Sequence, residues 1–403
     1  MYLTFSIVVL AVAAIWALRV HEVFLLVVPV LRAIQPIEDF PYECERLQHP
    51  SVEGCEDIWL DHTGRKLYAA CASIPVRTGW SPGGDLFNVS ARDRADHISV
   101  IDIDQPGPNG MYGLRQLHIG SGYQGDLDLH GFDVRQVGDR LRFWLINHRP
   151  PVSPETGESM NAFEVGANST IEIFDLDSTS ETLEYVKTIV SDAIITPNDL
   201  AVDEDGVGFA VTNDHTAKAG LSRVWELFAG GGSISYCQTD SGKCHVAVQE
   251  GCNMPNGIVN IGRGIFAVSQ TGLGAVTSYK LQGEAMIKVA GFNLQMPLDN
   301  ISLDDEGNVF VVGFPNSRYM LKAMKSPYTV TVPATAFKIP QRALVKREND
   351  ELEDSPIVKI LEDRDGKKLP STTVVVHDAK TERFFLAGVL SPSLGICTKK
   401  QRS

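Results

Sequence analysis

The chain has 403 residues, 43% hydrophobic and 21% charged, the balance of a globular protein able to bury a large core. Its net charge of −14 argues against a nucleic-acid partner, which needs a basic face, and is compatible with a cation site fed by carboxylates. Length alone does not choose between several domains and a single large β-propeller.

Taken in chain order, the first feature is apolar. Leu3 to Leu18 carries no charge and Arg19 follows; its 16 residues fall short of the roughly 20 that span a bilayer. That suits a signal-peptide core or a short signal anchor. A second apolar run, Val23 to Leu31, is broken by Pro29. We therefore read 1–35 as a hydrophobic signal or anchor segment with a leader helix, and 36–403 as one domain of the secretory pathway. Whether the leader is cleaved stays open.

Seven cysteines allow three bridges at most, with one thiol left over. A bridge between Cys44, just after the leader, and Cys397, near the C-terminus, would tie the two ends of one domain in an oxidising compartment. Cys237 and Cys244 are close enough to bridge locally. The sequons at Asn88 and Asn168 predict glycosylation in the same compartment.

Strand-like segments dominate after the leader, and long amphipathic helical patterns are scarce. Aligning the strands exposes one template: a polar or Gly-containing dipeptide, an apolar residue, a Gly six residues on, then a second strand. Its instances are Glu56-Asp57-Ile58 with Gly64, His130-Gly131-Phe132 with Gly138, and Asn198-Asp199-Leu200 with Gly206. Asn256-Gly257-Ile258 with Gly264 and Asp299-Asn300-Ile301 with Gly307 follow, then Thr372-Thr373-Val374, which has Lys380 in place of the Gly. The glycine suits a tight hairpin that needs positive φ. Six such units without helical crossovers predict an all-β, six-bladed β-propeller, with a pair of β-sandwiches as the structural alternative.

In the second unit, Val137-Gly138-Asp139 is a turn flanked by alternating apolar residues. Folding about it would bring His130 and His148 together at the hairpin's open end. If each dipeptide opens the innermost strand of its blade, Glu56, Asp57, Asn198, Asp199, Asn256, Asp299 and Asn300 meet around the central channel beside His130. Carboxylates gathered in low dielectric repel, and a hard cation with six to eight oxygen ligands resolves this. Asn and Asp also favour strand-initiating turns on their own account. Zinc fits less well, because the Cys and His residues lack its close ligand spacing.

These motifs, together with Asn147-His148, Thr212-Asn213-Asp214-His215 and Asp299-Asn300-Ile301-Ser302, resemble the paraoxonase/arylesterase family in order and approximate spacing, from about Pro41 to Cys397. Gluconolactonase-like and strictosidine-synthase-like propellers share the metal-bearing strands but not both histidines. The resemblance implies a calcium-dependent hydrolase of lactones and aryl esters, with organophosphate triesters as side substrates. It implies two calcium ions. A catalytic ion would be held by Glu56, Asn198, Asn256, Asp299 and Asn300; a structural one by Asp57, Asp199 and the backbone carbonyl of Phe132. His130 would deprotonate water and His148 would relay the proton, as an imidazole near its ordinary pKa of 6.5 can do. Asp214 and His215 would support them. The resemblance also implies a Cys44–Cys397 bridge and an uncleaved leader that anchors the protein to a membrane or lipid surface.

Departures limit what carries over. Phe314 stands where the family commonly has histidine, Met254-Pro255 precedes Asn256, the loop after Pro150 is long, and another loop carries Cys237 and Cys244. All four are expected at the substrate walls. The competing readings are a gluconolactonase-like enzyme acting on sugar lactones, and a non-catalytic secreted propeller that binds a ligand or lipid.

Overall fold

In each of six sheets the second strand is buried along most of its length, so both faces of every sheet are covered by neighbours. The computed structural model describes residues 16–28, 32–345 and 357–400. The sheets open in chain order with Cys55–Asp61, Leu129–Val137, Pro197–Val202, Pro255–Asn260, Leu298–Leu303 and Val374–Asp378. Each of these inner strands continues outward through antiparallel neighbours to at least four strands per sheet; the second blade has a fifth, His118–Ile119. The inner strands contact one another in turn around a channel. Six apolar clusters fill the six gaps between adjacent blades. This is a six-bladed β-propeller, and the sandwich alternative is excluded.

The sixth blade takes its outermost strand from the other end of the chain. Tyr42–Leu47 pairs with Leu394–Lys399, placing Cys44 directly opposite Cys397, and the two are bridged. Cys237 and Cys244 face each other across adjacent strands of the third blade and are also bridged. The third bridge, Cys55–Cys71, joins the two inner strands of the first blade, and Cys252 is the free, buried thiol.

The template glycine takes positive φ in four blades (Gly138, Gly206, Gly264 and Gly307), but in the first blade Arg65, not Gly64, is the left-handed residue. Residues 16–27 form a helix whose Trp16 lies edge-on to Trp225 and whose Arg19 donates to the carbonyl of Phe228. Most of the apolar leader, residues 3–15, lies outside the described residues. No helix among those described is long and apolar enough to cross a membrane.

Candidate active site

A strand alternates its side chains, so two successive residues cannot both face a channel unless the ladder is interrupted. It is interrupted at the dipeptides. The register slips between Cys55 and Asp57, Pro197 and Leu200, Pro255 and Ile258, and Leu298 and Ile301, bulges that re-aim the polar pair. The sixth unit, Thr372-Thr373, precedes its strand, whose register runs unbroken. Glycine in two dipeptides serves close approach: a Cβ on Gly131 would stand 2.6 Å from the carbonyl oxygen of Asn198, and one on Gly257 2.6 Å from Cα of Asn300.

The predicted ligand residues converge on one end of the channel. Asn300 Nδ2 donates to Glu56 Oε1 and to the Glu56 carbonyl, both at 3.0 Å. Four buried side-chain oxygens from four blades have no hydrogen-bond partner among the described residues: Glu56 Oε2, Asn198 Oδ1, Asn256 Oδ1 and Asn300 Oδ1. Leaving one such group unsatisfied costs about 1–3 kcal/mol, so four of them describe a place made for a positive charge. Burial raises the pKa of Glu56 to about 7, against the pull of Asn300 and Arg77. Asp299 is also raised, by burial and then by Glu56. Among the described residues no three His, Cys, Asp or Glu side chains form a ready-made metal centre. The set here is mixed, with amides supplying three of the four free oxygens. All-oxygen sites of this kind suit a hard cation.

Asp57 and Asp199 sit one residue deeper and are partly committed. Asp57 accepts from the amides of Ile58 (2.8 Å) and Phe132 (3.2 Å), Asp199 from those of Leu200 (2.7 Å) and Ile258 (2.9 Å). Each carboxylate thus ties its inner strand to that of the next blade. Both are pushed well above the usual carboxylate range, by burial and then by a neighbouring carboxylate, Glu56 for Asp57 and Asp57 for Asp199.

His130 and His148 do meet, with ring centroids 5.0 Å apart. The hairpin turns at Gly138-Asp139 and its register slips between Leu145 and Asn147, after which the His148 amide donates to the Asp128 carbonyl. His130 Nε2 lies 3.8 Å from Glu56 Oε1. His148 Nδ1 is 2.8 Å from Ser169 Oγ, while its Nε2 has no hydrogen-bond partner among the described residues. The expectation of ordinary imidazoles fails. Burial, with the Arg77 cation nearby, lowers His130 to about 3; burial, then His130, holds His148 well below its usual value. Both rings are neutral at physiological pH.

Residues the sequence did not single out complete the site. Arg77, buried, spends its guanidinium on backbone: Nε to Gly54 O (3.1 Å), Nη1 to Leu129 O (2.5 Å) and Nη2 to Ala70 O (3.4 Å). Ser169 holds His148, and the Trp80 indole donates to the His148 carbonyl. Nothing in ASIPVRTGW marks Arg77, since its acceptors are carbonyls up to 52 residues away. Asp214 Oδ1 meets His215 Nδ1 at 2.8 Å; burial works against its carboxylate, but His215 and Arg223 outweigh it and its pKa falls.

The walls differ in part from expectation. Phe314 belongs to an apolar cluster with Ala323, Val332 and Leu390, and the segment after Pro150 packs on Trp80 and Phe87. The Cys237–Cys244 loop lies at the other end of the channel: Cys237 pairs with Phe209, at the far end of its strand from Asn213. It is no substrate wall. Of the two sequons, Asn88 is exposed at the N-cap of a short 3-10 turn, while Asn168 is partly buried opposite Arg149.

The profile of the arylesterase family matches residues 160–390, more than half of the chain. No curated protein matches. A solved structure provisionally described as a gluconolactonase is similar over 90% of this chain and 93% of its own, with TM-score 0.50 and 11% identity. A gluconolactonase from Xanthomonas campestris has TM-score 0.49 and 12% identity, covering 91% and 99% of the two chains. A luciferin-regenerating enzyme has TM-score 0.49 and 14% identity, covering 89% and 95%. At such identity the first of these speaks for the propeller alone. The family match carries more, and by it this chain belongs to the arylesterase family.

Proposed function

We propose that the protein is a calcium-dependent hydrolase of lactones and aryl esters. Four partnerless oxygens beside a histidine pair carry this reading. Glu56, Asn198, Asn256, Asp299 and Asn300 would hold the catalytic ion. Asp57, Asp199 and the Phe132 carbonyl would hold the structural one, with the lone pairs that their backbone bonds leave free. Calcium there would supply Lewis acidity toward a carbonyl or phosphoryl oxygen, which also accommodates organophosphate triesters as side substrates.

The remaining work falls to side chains. His130, unprotonated throughout the neutral range, would take the proton of the attacking water at Nε2, and the Asp214 carboxylate nearby would favour the imidazolium as it forms. His148, fixed through Nδ1 by Ser169, offers Nε2 for the relay. A lactone suits such a site because its ring holds the carbonyl in one orientation while water attacks.

Three disulfides fit an oxidising compartment, which supports secretion with glycans at Asn88 and Asn168. The exposed Leu18, Phe24, Leu221 and Trp225 near the N-terminal helix support an uncleaved leader that meets a membrane or lipid surface.

The test is hydrolysis of lactones of graded chain length and of phenyl acetate, with and without chelator, by wild type, His130→Gln and Asn256→Ala. We expect chelation to abolish turnover. Asn256→Ala should cost about 100-fold on every substrate, more than His130→Gln. Wild-type activity in Asn256→Ala would remove the calcium assignment. A chelator that lowers Tm in a protein that cleaves nothing would favour the ligand-binding propeller. Turnover of sugar lactones alone, untouched by His130→Gln, would favour the gluconolactonase-like reading.

A further inference from the structure

The candidate site is roofed. His130, His148 and Glu56 are 6%, 3% and 3% exposed, and the cavity against His148 holds about 10 Å³, roughly the smallest that takes a single water. Pockets that take small organic ligands run to about 300 Å³ or more. No ester reaches the rings unless part of the roof moves.

The roof is built from the connections between second and third strands, which emerge at the mouth of the channel. That of the first blade carries a two-stranded hairpin, Trp80–Ser81 with Leu86–Phe87. Its base is packed: Trp80 and Phe87 join Ala72, Val76, Ala162 and Ala167 in one apolar cluster. Its tip, Pro82 to Asp85, contains Gly83-Gly84 and is held by polar contacts from other blades. A Cβ on Gly83 would stand 3.4 Å from Asp214 Oδ2 and 3.6 Å from His130 Nε2, so the tip lies over the imidazole.

One side chain fastens it. Arg223, buried in the third blade's connection, donates through Nη2 to Pro82 O (3.0 Å) and Gly83 O (3.3 Å), and its Nε forms an ion pair with Asp85 Oδ1 at 2.5 Å without the alignment of a hydrogen bond. Nη1 anchors the guanidinium at home, on Ala217 O and Lys218 O. On the fifth blade's side the Met324 methyl lies against Gly84. The tip therefore bridges three blades across the mouth, with half-exposed Asp85 as the outer half of the fastening.

Resting on the hydrolase reading, we propose that this hairpin is the gate through which substrate enters, and that the Arg223–Asp85 pair is a latch that selects against bulky substrates. A small lactone needs a brief, partial lift of the tip. An aryl ester or a long-chain lactone needs the latch released. Asp85 touches no reacting group, so weakening it changes admission and leaves the chemistry alone.

The experiment compares wild type with Asp85→Asn and Asp85→Ala in three readouts. Backbone hydrogen exchange of residues 83–88 should quicken at least 5-fold in the variants. Carbethoxylation of His130 and His148 by diethyl pyrocarbonate, followed by mass spectrometry, should quicken about as much. Finally, kcat/KM for a naphthyl ester or a C12 lactone should rise 3- to 10-fold, while that for γ-butyrolactone changes less than 2-fold. Unchanged exchange and unchanged histidine labelling overturn the gate. A uniform change on all substrates overturns the selectivity. Faster labelling in a protein that hydrolyses nothing sinks the hydrolase reading and leaves the gate standing, so the two failures are distinguishable.

Discussion

At the scale of single residues the histidine pair shows how burial rewrites side-chain chemistry. An exposed imidazole titrates near neutrality, whereas His130 and His148, enclosed beside Arg77, stay uncharged. Orientation then matters more than basicity, and among the described residues Ser169 Oγ is the one hydrogen-bond partner on the His148 ring. Ser169→Ala should lower kcat about 10-fold with KM nearly unchanged, and Ser169→Thr, which keeps the hydroxyl, should recover part of it. A structural role alone would lower Tm and leave the turnover of folded enzyme intact. Steady-state kinetics beside a melting curve separate the two.

At the scale of elements, all three bridges join residues directly opposite on neighbouring antiparallel strands. They differ in the loops they close, with sequence separations of 353, 16 and 7 residues. In the chain-entropy picture these are worth about 6, 3 and 2 kcal/mol. Thermal melts of paired Cys→Ser variants should therefore rank Cys44/Cys397 as the most destabilised and Cys237/Cys244 as the least. The Cys55/Cys71 variant tests something further, because that bridge abuts Glu56 at the bulge. It should lose activity out of proportion to its Tm. Equal losses of stability in all three would refute the loop-length account.

At the scale of the whole molecule, a propeller must close its ring, and the seam between the sixth and first blades carries charge. Arg65 reaches Asp378 with bonds of 2.8 and 2.6 Å, and both Arg65 and Arg383 meet Asp104. Burial works against the Asp378 carboxylate, but its bonds to Arg65 and Thr381 prevail and hold its pKa down to about 2. A carboxylate depressed in the folded state contributes stability that is fully present above its unfolded pKa, near 4, and fades as pH falls toward 2. Asp378→Asn should thus lower the urea midpoint at pH 7 and make much less difference at pH 2.5. An equal difference at both pH values would mean that packing, not charge, joins the seam.

The parts of this protein that depend on neighbours in sequence were legible there. The six dipeptides, the turn at Gly138-Asp139 and the pairing of His130 with His148 all follow from strand period and turn chemistry acting over a few residues. Tertiary structure decided the rest. It determined which carboxylates are shared with backbone amides, as Asp57 and Asp199 are, and that both histidines are neutral. It also brought Arg77 against carbonyls from two strands and the bend before the first blade, and laid a first-blade hairpin under Arg223, 140 residues away. Local patterning repeats with a fixed period and can be counted along a chain. A buried charge or a roof is defined by whatever the fold places beside it, and those neighbours leave no spacing to count.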